Sequence, residues 1–165
     1  MAKLLILAAS NGKNLELSSE IQTAAEKQGH EARTLDLCDL GLPLYTPQAE
    51  KENEDLEPIR SSMEHILWCD GMIVCAPEYN GLTPPVLSNF IAWVSVQSAN
   101  FRLLFNKRKV GLASVSGGGG HQVILGMRMQ FAYLGSNVLG RSIVVNKTKP
   151  LNQVSVNEMI SGVLE

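Results

Sequence analysis

The sequence predicts an α/β domain: a three-layer sandwich built on a five-stranded parallel sheet in the order 2-1-3-4-5. Three observations lead there. Short apolar runs alternate with longer amphipathic stretches five times along the 165 residues, the pattern of repeated β-α units. The first, third and fourth runs are apolar throughout, as central strands covered on both faces must be. The second run is polar enough to lie at an edge, and the doubly wound order places strand 2 there.

The elements follow in chain order. Leu4 to Ala8 is a continuous apolar run of strand length, closed by the polar turn from Ser10 to Asn14. From Leu17 to Gln28 one helical face carries Leu17, Ile21, Ala24 and Ala25, and Gly29 supplies the stop. His30 to Leu37 is the mixed edge strand. Gly41 to Asn53 is rich in proline and polar residues and reads as a surface loop, leading to a helix from about Asp55 to Trp68. Gly71 to Ala76 is the third strand and Pro77 to Pro84 a loop. Thr83-Pro84-Pro85 opens a helix, since proline is tolerated in a first turn, and that helix carries Val86, Leu87, Phe90, Ile91 and Val94. Lys109 to Ser116 is the fourth strand. Four glycines, Gly117 to Gly120, then open a helix through Leu134. Ser142 to Asn146 is the last strand and Asn152 to Leu164 the closing helix.

Composition bounds the rest. A chain this long buries a core without disulfides or metals, and one domain over residues 1–165 is expected. The formal charge of −2 gives no footprint for nucleic acid or an anionic membrane surface, and no run approaches the roughly 20 apolar residues of a membrane span. Cys38, Cys69 and Cys75 have no metal-ligand or CxxC spacing, and scattered thiols in odd number suit a reducing compartment. With no secretory pattern at Met1-Ala2-Lys3, the expected location is cytoplasmic.

In a doubly wound sheet the ligand crevice lies beyond the carboxyl ends of the strands, where the order reverses. Three loops converge on it. The first, Ala9-Ser10-Asn11-Gly12-Lys13-Asn14, opens a helix, so its amides and the helix dipole favour an anion. Ser10, Asn11 and Asn14 add donors and Lys13 a charge; the same residues also serve as ordinary helix caps. The loop is neither GxGxxG nor a P-loop. In the second loop, Pro77-Glu78-Tyr79-Asn80-Gly81-Leu82-Thr83-Pro84, prolines stiffen the chain while Asn80-Gly81 permits a turn with positive φ. Its amides can face the edge of a planar ring, and Tyr79 offers an aromatic face. The third loop, Ser114 to Gln122, spends four consecutive glycines, which is unfavourable unless something must approach the backbone closely. A glycine would be needed where Ser114 stands for a serine-hydrolase elbow.

Pro77-Glu78-Tyr79-Asn80, then Pro84, Leu87, Asn89 and Trp93, resemble the NADPH-dependent FMN reductase family, whose mark is P-E-Y-N followed by a proline and an L-x-N-x-x-x-W helix. The glycine-rich third loop and the Leu134-Gly135 turn fit as well, so the resemblance runs nearly the length of the chain. It implies a flavodoxin-like fold, bound FMN, and NADPH or NADH as electron donor. It places Pro77, Glu78, Tyr79 and Asn80 along the isoalloxazine ring, with Gly81 closing the turn. Ser116, Gly117 and Gly118 form the opposite wall, and Ser10, Asn11, Lys13 and Asn14 hold the phosphate. The chain departs from the family where Gly12 and Leu15 occupy the usual arginine and serine positions. There Lys13, Asn14 and Ser18 are expected to stand in, as in flavodoxin-type T-G-N-T loops. Ser88 and Ala92 replace a usual Lys and Asp.

The resemblance implies that the flavin carries the chemistry, with no catalytic residue in the protein; His121 offers a proton donor, but a histidine in a glycine-rich loop is more often solvated or capping. It also implies a small-molecule acceptor (a quinone, an azo compound, free flavin or a metal oxyanion) and a homodimer or homotetramer. Phe90, Trp93, Val94, Phe131 and Tyr133 are the expected contact surface, on the ground that one domain would not bury them all. Cys75, Met127, Met129 and Met159 read as core or contact filler. Two other readings stay open: a flavodoxin-type electron carrier, for which −2 is a mild charge, and a flavin-free relative acting as a binding module.

Overall fold

The computed structural model describes residues 1–165. Twelve elements follow one another: β1 (Lys3–Ala8), α1 (Lys13–Lys27), β2 (Glu31–Asp36), α2 (Pro47–Glu52), α3 (Glu57–Trp68), β3 (Gly71–Cys75), α4 (Pro85–Gln97), α5 (Arg102–Phe105), β4 (Lys109–Val115), α6 (His121–Tyr133), β5 (Asn137–Val145) and α7 (Gln153–Leu164). The five strands are parallel, in the order β2-β1-β3-β4-β5. This is the flavodoxin-like sandwich, with β2 on the edge.

Alternation along each strand divides the core in two, because successive side chains point to opposite faces. Leu5 and Leu7 of β1 join Met72, Val74, Val110 and Leu112 beneath α3, α4, α5 and α6. Leu4 and Ile6 join Ile73 and Cys75 beneath α1 and α7. Burying one large aliphatic side chain contributes about 1.5–3 kcal/mol, so these two layers supply the main driving force.

Four residues expected on a contact surface lie inside the domain instead. Phe90, Trp93, Val94 and Phe131 are fully buried, whereas Tyr133 is exposed. Helix α4 is covered twice, by the sheet on one side and by the 41–46 segment on the other. Pro43 O accepts hydrogen bonds from Trp93 Nε1 at 2.7 Å and Asn89 Nδ2 at 3.0 Å, while Asn89 Oδ1 accepts from Tyr45 N at 2.7 Å. Tyr45 also meets the Trp93 ring edge-on. The Asn and Trp of the L-x-N-x-x-x-W pattern therefore pin a loop onto α4. Met127 and Met159 are buried in the core, and Met129 is exposed.

The element boundaries differ from expectation at four places. Helix α1 starts at Lys13, four residues earlier than its apolar face. Residues 47–52, expected in a loop, form α2, capped by Thr46 Oγ1 accepting from Ala49 N with Pro47 in the first turn. The short α5 lies where no element is expected. Strand β5 begins at Asn137, because Val110 pairs with Val138 but Leu112 with Ser142, so Leu139 to Arg141 stand opposite Gly111 alone and bulge at the sheet edge. Arg128 of α6 donates to Leu139 O and Gly140 O, covering that edge. No helix is long and apolar enough to cross a membrane.

Candidate functional site: three loops at the carboxyl edge of the sheet

Loop 1 (residues 9–14) leaves β1 and turns directly into α1. Gly12 is the N-cap and offers no side-chain bond to the helix. The backbone N–H groups of Ser10, Gly12, Lys13 and Asn14 find no acceptor within the chain, and that of Asn11 points at the Cys38 sulfur. A bare helix start of this kind attracts anions, since its unpaired donors and the positive end of the dipole coincide. Lys13 is exposed beside it and Ser10 is buried. Asn14 is buried, and its carboxamide is engaged with the Val115 peptide: Nδ2 donates to Val115 O at 3.0 Å and Val115 N donates to Oδ1 at 2.8 Å. The side chain expected to reach a phosphate is thus occupied in tying loop 1 to the end of β4. Its backbone N–H remains free.

Loop 2 (residues 77–84) forms a tight turn in which Tyr79 and Leu82 exchange backbone hydrogen bonds of 3.1 and 3.0 Å. Asn80 and Gly81 hold φ of 51° and 76°, the left-handed pair of a type I′ turn, which is why Asn-Gly stands there. The N–H groups of Glu78, Asn80 and Gly81 have no partner in the chain. Tyr79 is half exposed, and a shallow depression of about 450 Å³ runs along Glu78, Tyr79, Asn80 and Leu82.

Loop 3 (residues 116–120) is anchored at its start, where Ser116 N donates to Val145 O at 3.1 Å. Beyond it the N–H groups of Gly117, Gly119 and Gly120 are unpaired. A Cβ on Gly117 would meet nothing within 4 Å, so the loop leaves open space that glycine keeps free. Gly120 differs: with φ of 70°, its Cβ would lie 2.9 Å from Val144 Cγ1. Beneath it the hydroxyl of Ser114 is buried without a hydrogen-bond partner. His121 is exposed on the rim.

Among the helices that start at this edge, α1 and α6 differ in one respect. Glu78 Oε2 accepts hydrogen bonds from Gln122 N at 3.1 Å and Val123 N at 3.3 Å, so the start of α6 already holds a carboxylate. The start of α1 holds none. An anionic group entering the crevice finds its free helix terminus at loop 1. A planar group finds unpaired amides on both sides, from loops 2 and 3. The phosphate and the ring of FMN would fit this distribution of donors.

Cys75 ends β3 just below loop 2. Burial pushes its thiol up to about 12, with the Ser18 hydroxyl opposing only in part, so it stays protonated at neutral pH. Cys69 is held up to about 11 by burial, against the opposing charge of Arg108. Burial, reinforced by the Asp36 carboxylate, also raises the exposed Cys38. No group of three or more His, Cys, Asp or Glu is arranged to hold a metal ion.

The NADPH-dependent FMN reductase family matches this chain over residues 2–149. The chain belongs to that family. Among its relatives, an NADPH azoreductase from Bacillus sp. (strain OY1-2) is 27% identical over 118 residues, 70% of this chain and 62% of the relative. The chain therefore spans somewhat less than two thirds of that azoreductase. A flavoenzyme NAD(P)H:(acceptor) oxidoreductase from Paracoccus denitrificans has the same fold with a TM-score of 0.77, 15% identity, and coverage of 99% of this chain and 97% of that one. An azoreductase from Bacillus anthracis str. Sterne gives a TM-score of 0.66 at 17% identity, covering 98% and 94%.

Sequence reasoning finds the three loops but misses what two of their side chains do. Glu78 and Asn14 reach partners 44 and 101 residues away along the chain. No local signal marks either bond.

Proposed function

We propose that the protein seats FMN across the three loops and reduces a small, flat, apolar acceptor of the azo or quinone type. FMN held there would supply the hydride-transfer chemistry between NAD(P)H and the acceptor. The chain's own contribution is to bind, orient and leave access. Loop 1 would hold the phosphate through the amides of Ser10 to Asn14 and the charge of Lys13. The amides of Glu78, Asn80 and Gly81 would face one edge of the ring, and Ser116, Gly117 and Gly118 would wall the other. The observation that carries this reading is the uncapped start of α1 beside two loops of unpaired backbone donors.

The acceptor class is supported by the rim. Tyr79 and Leu82 are 50% and 64% exposed at the tip of loop 2, and Leu125 and Met129 of α6 are 65% and 74% exposed. Helix α6 runs beside loop 2, where a Cβ on Gly126 would sit 3.4 Å from Thr83 Cγ2. A rim of apolar side chains favours an aromatic molecule over a metal oxyanion.

A second copy of the chain would cover the same side. Leu125, Met129 and Tyr133 are spaced four apart on one face of α6, all exposed. Helix α4 contains no charged residue. The one arginine of α6 is turned to β5. An uncharged apolar face can meet its own copy without like-charge repulsion, which suits a two-fold homodimer. Light scattering after size exclusion is expected to give twice the chain mass, and Met129→Lys to shift it towards one; a wild-type monomer at micromolar concentration would overturn the dimer.

The reductase reading is tested by the absorbance of the purified protein with added FMN, then NADPH. Flavin bands that move on binding and bleach with NADPH or NADH, then return on adding an azo dye or quinone, are the expected result. A protein that neither takes up FMN nor consumes NAD(P)H would overturn it.

A further inference from the structure

We infer that Glu78 is a positioning residue whose carboxylate sets the width of the flavin slot by fastening loop 2 to the start of α6. The inference rests on the FMN reading above. Its hydrogen bonds to Gln122 N and Val123 N are the only ones that join loop 2 to loop 3 or α6. The neighbouring polar groups of loop 2 bond within the loop, to the first turn of α4, or not at all. The other carboxylate oxygen, Oε1, lies 3.8 Å from where a Cβ of Gly118 would be, so the side chain crosses the crevice along the glycine wall.

The physical need for such a fastening lies in the wall itself. Gly117, Gly118 and Gly119 carry no side chain to pack, and Gly118 N reaches only Ser116 Oγ, at 3.4 Å. A run of this kind has more backbone freedom than any other sequence. Left alone, it would have to be ordered by the ligand, and that ordering would be subtracted from affinity. Glu78 orders its far end beforehand. One residue thus lends its backbone N–H to one side of the slot and its carboxylate to the other, so the two walls cannot separate without breaking these two hydrogen bonds. Loop 1 has its own fastening through Asn14, which leaves the phosphate end independent of Glu78.

The test compares Glu78→Ala, Glu78→Gln and wild type by fluorescence titration with FMN and with riboflavin, which lacks the phosphate. Removing a helix-capping side chain corresponds to a loss of about 3- to 30-fold in the equilibrium that it supports. Glu78→Ala is therefore expected to bind FMN and riboflavin more weakly by a similar factor within that range, with inorganic phosphate still competing for FMN at its wild-type concentration. Glu78→Gln keeps an acceptor oxygen on the same reach and is expected to restore most of the affinity. If Glu78→Ala does not fold, Glu78→Asp, one methylene short of α6, carries the same comparison. Wild-type flavin affinity in Glu78→Ala would overturn the inference. So would a Glu78→Gln as weak as the alanine variant, which would assign the effect to charge. Weakened phosphate competition in Glu78→Ala would also overturn it, by revealing a general structural defect. Failure of the wild type itself to bind FMN would instead bring down the underlying reading, and the inference with it.

Discussion

Asn14 and Val115 exchange two hydrogen bonds, side-chain amide to backbone amide, and thereby join the first turn of α1 to the last residue of β4. The carboxamide copies the donor-acceptor pair of a neighbouring strand at the point where the sheet ends. Loop 1 ends at Asn14 and loop 3 leaves the sheet after Val115, so one side chain fixes the spacing between the anion end of the crevice and the glycine wall.

Replacing Asn14 by Ala is expected to lower stability by about 2 kcal/mol, since two hydrogen bonds are lost and part-buried groups of Val115 are left unpaired. Urea denaturation followed by circular dichroism reads this directly. Asn14→Asp keeps the acceptor for Val115 N but places a carboxylate beside the proposed phosphate, so FMN affinity should fall further than in the alanine variant. An unchanged urea midpoint in Asn14→Ala would show that the clip contributes nothing.

Lys13 stands exposed in the first turn of α1, next to unpaired amides. A single exposed charge at such a position is worth about 0.3–1 kcal/mol and is screened by salt. Lys13→Ala should therefore weaken FMN by about 2- to 5-fold at low ionic strength, leave riboflavin unaffected, and lose its effect in high salt. Equal weakening of FMN and riboflavin would place Lys13 at the ring instead.

Sheet order was legible because burial on both faces imposes apolar runs on β1, β3 and β4, and because Glu31 to Asp36 does not carry one. The loop 2 turn was legible because Asn80 and Gly81 are residues that tolerate positive φ. The surroundings of α4 were not. Its apolar residues circle nearly the whole helix, and the pattern cannot tell a second protein copy from a loop of the same chain as the cover. Here the cover is the 41–46 segment, bound by Asn89 and Trp93. Glu78 and Asn14 were found as site residues, yet their side chains act across the crevice on partners that only the folded chain brings near. Residues 139–141 escaped notice for a different reason: a bulge interrupts the alternation on which strand reading depends.

Two glycines should separate structure from cofactor binding. A Cβ on Gly71 would lie 2.3 Å from the Val163 carbonyl oxygen, so β3 and α7 must part to admit it. Gly71→Ala is expected to lower stability by about 3 kcal/mol, the upper range for overpacking, because backbone cannot yield as a side chain does. Gly117→Ala meets nothing within 4 Å and should leave the urea midpoint nearly unchanged. Its methyl would project into the loop 3 space assigned to the flavin, so the expected loss is in FMN affinity. The reverse pattern, a stable Gly71→Ala and a destabilised Gly117→Ala, would contradict the packing described for both.

The buried thiols predict a stability change at alkaline pH. An ordinary cysteine ionises near 9, and burial holds the folded-state values of Cys75 and Cys69 up to about 12 and about 11. Below pH 9 these thiols are protonated in folded and unfolded chains alike, and their contribution is fully present. As pH rises above that, the unfolded chain loses these protons while the folded chain keeps them, so the unfolded state is favoured increasingly. The loss from Cys75 continues until its own folded-state value near 12 is reached. Each thiol adds a slope of up to about 1.4 kcal/mol per pH unit in its window. Cys75→Ala should therefore lose stability less steeply than wild type between pH 9 and pH 11, as measured by urea midpoints at fixed temperature. In the same native protein a thiol reagent at pH 8 should modify exposed Cys38 and spare Cys69 and Cys75. Parallel stability curves for Cys75→Ala and wild type would mean that the Cys75 proton is not held by burial.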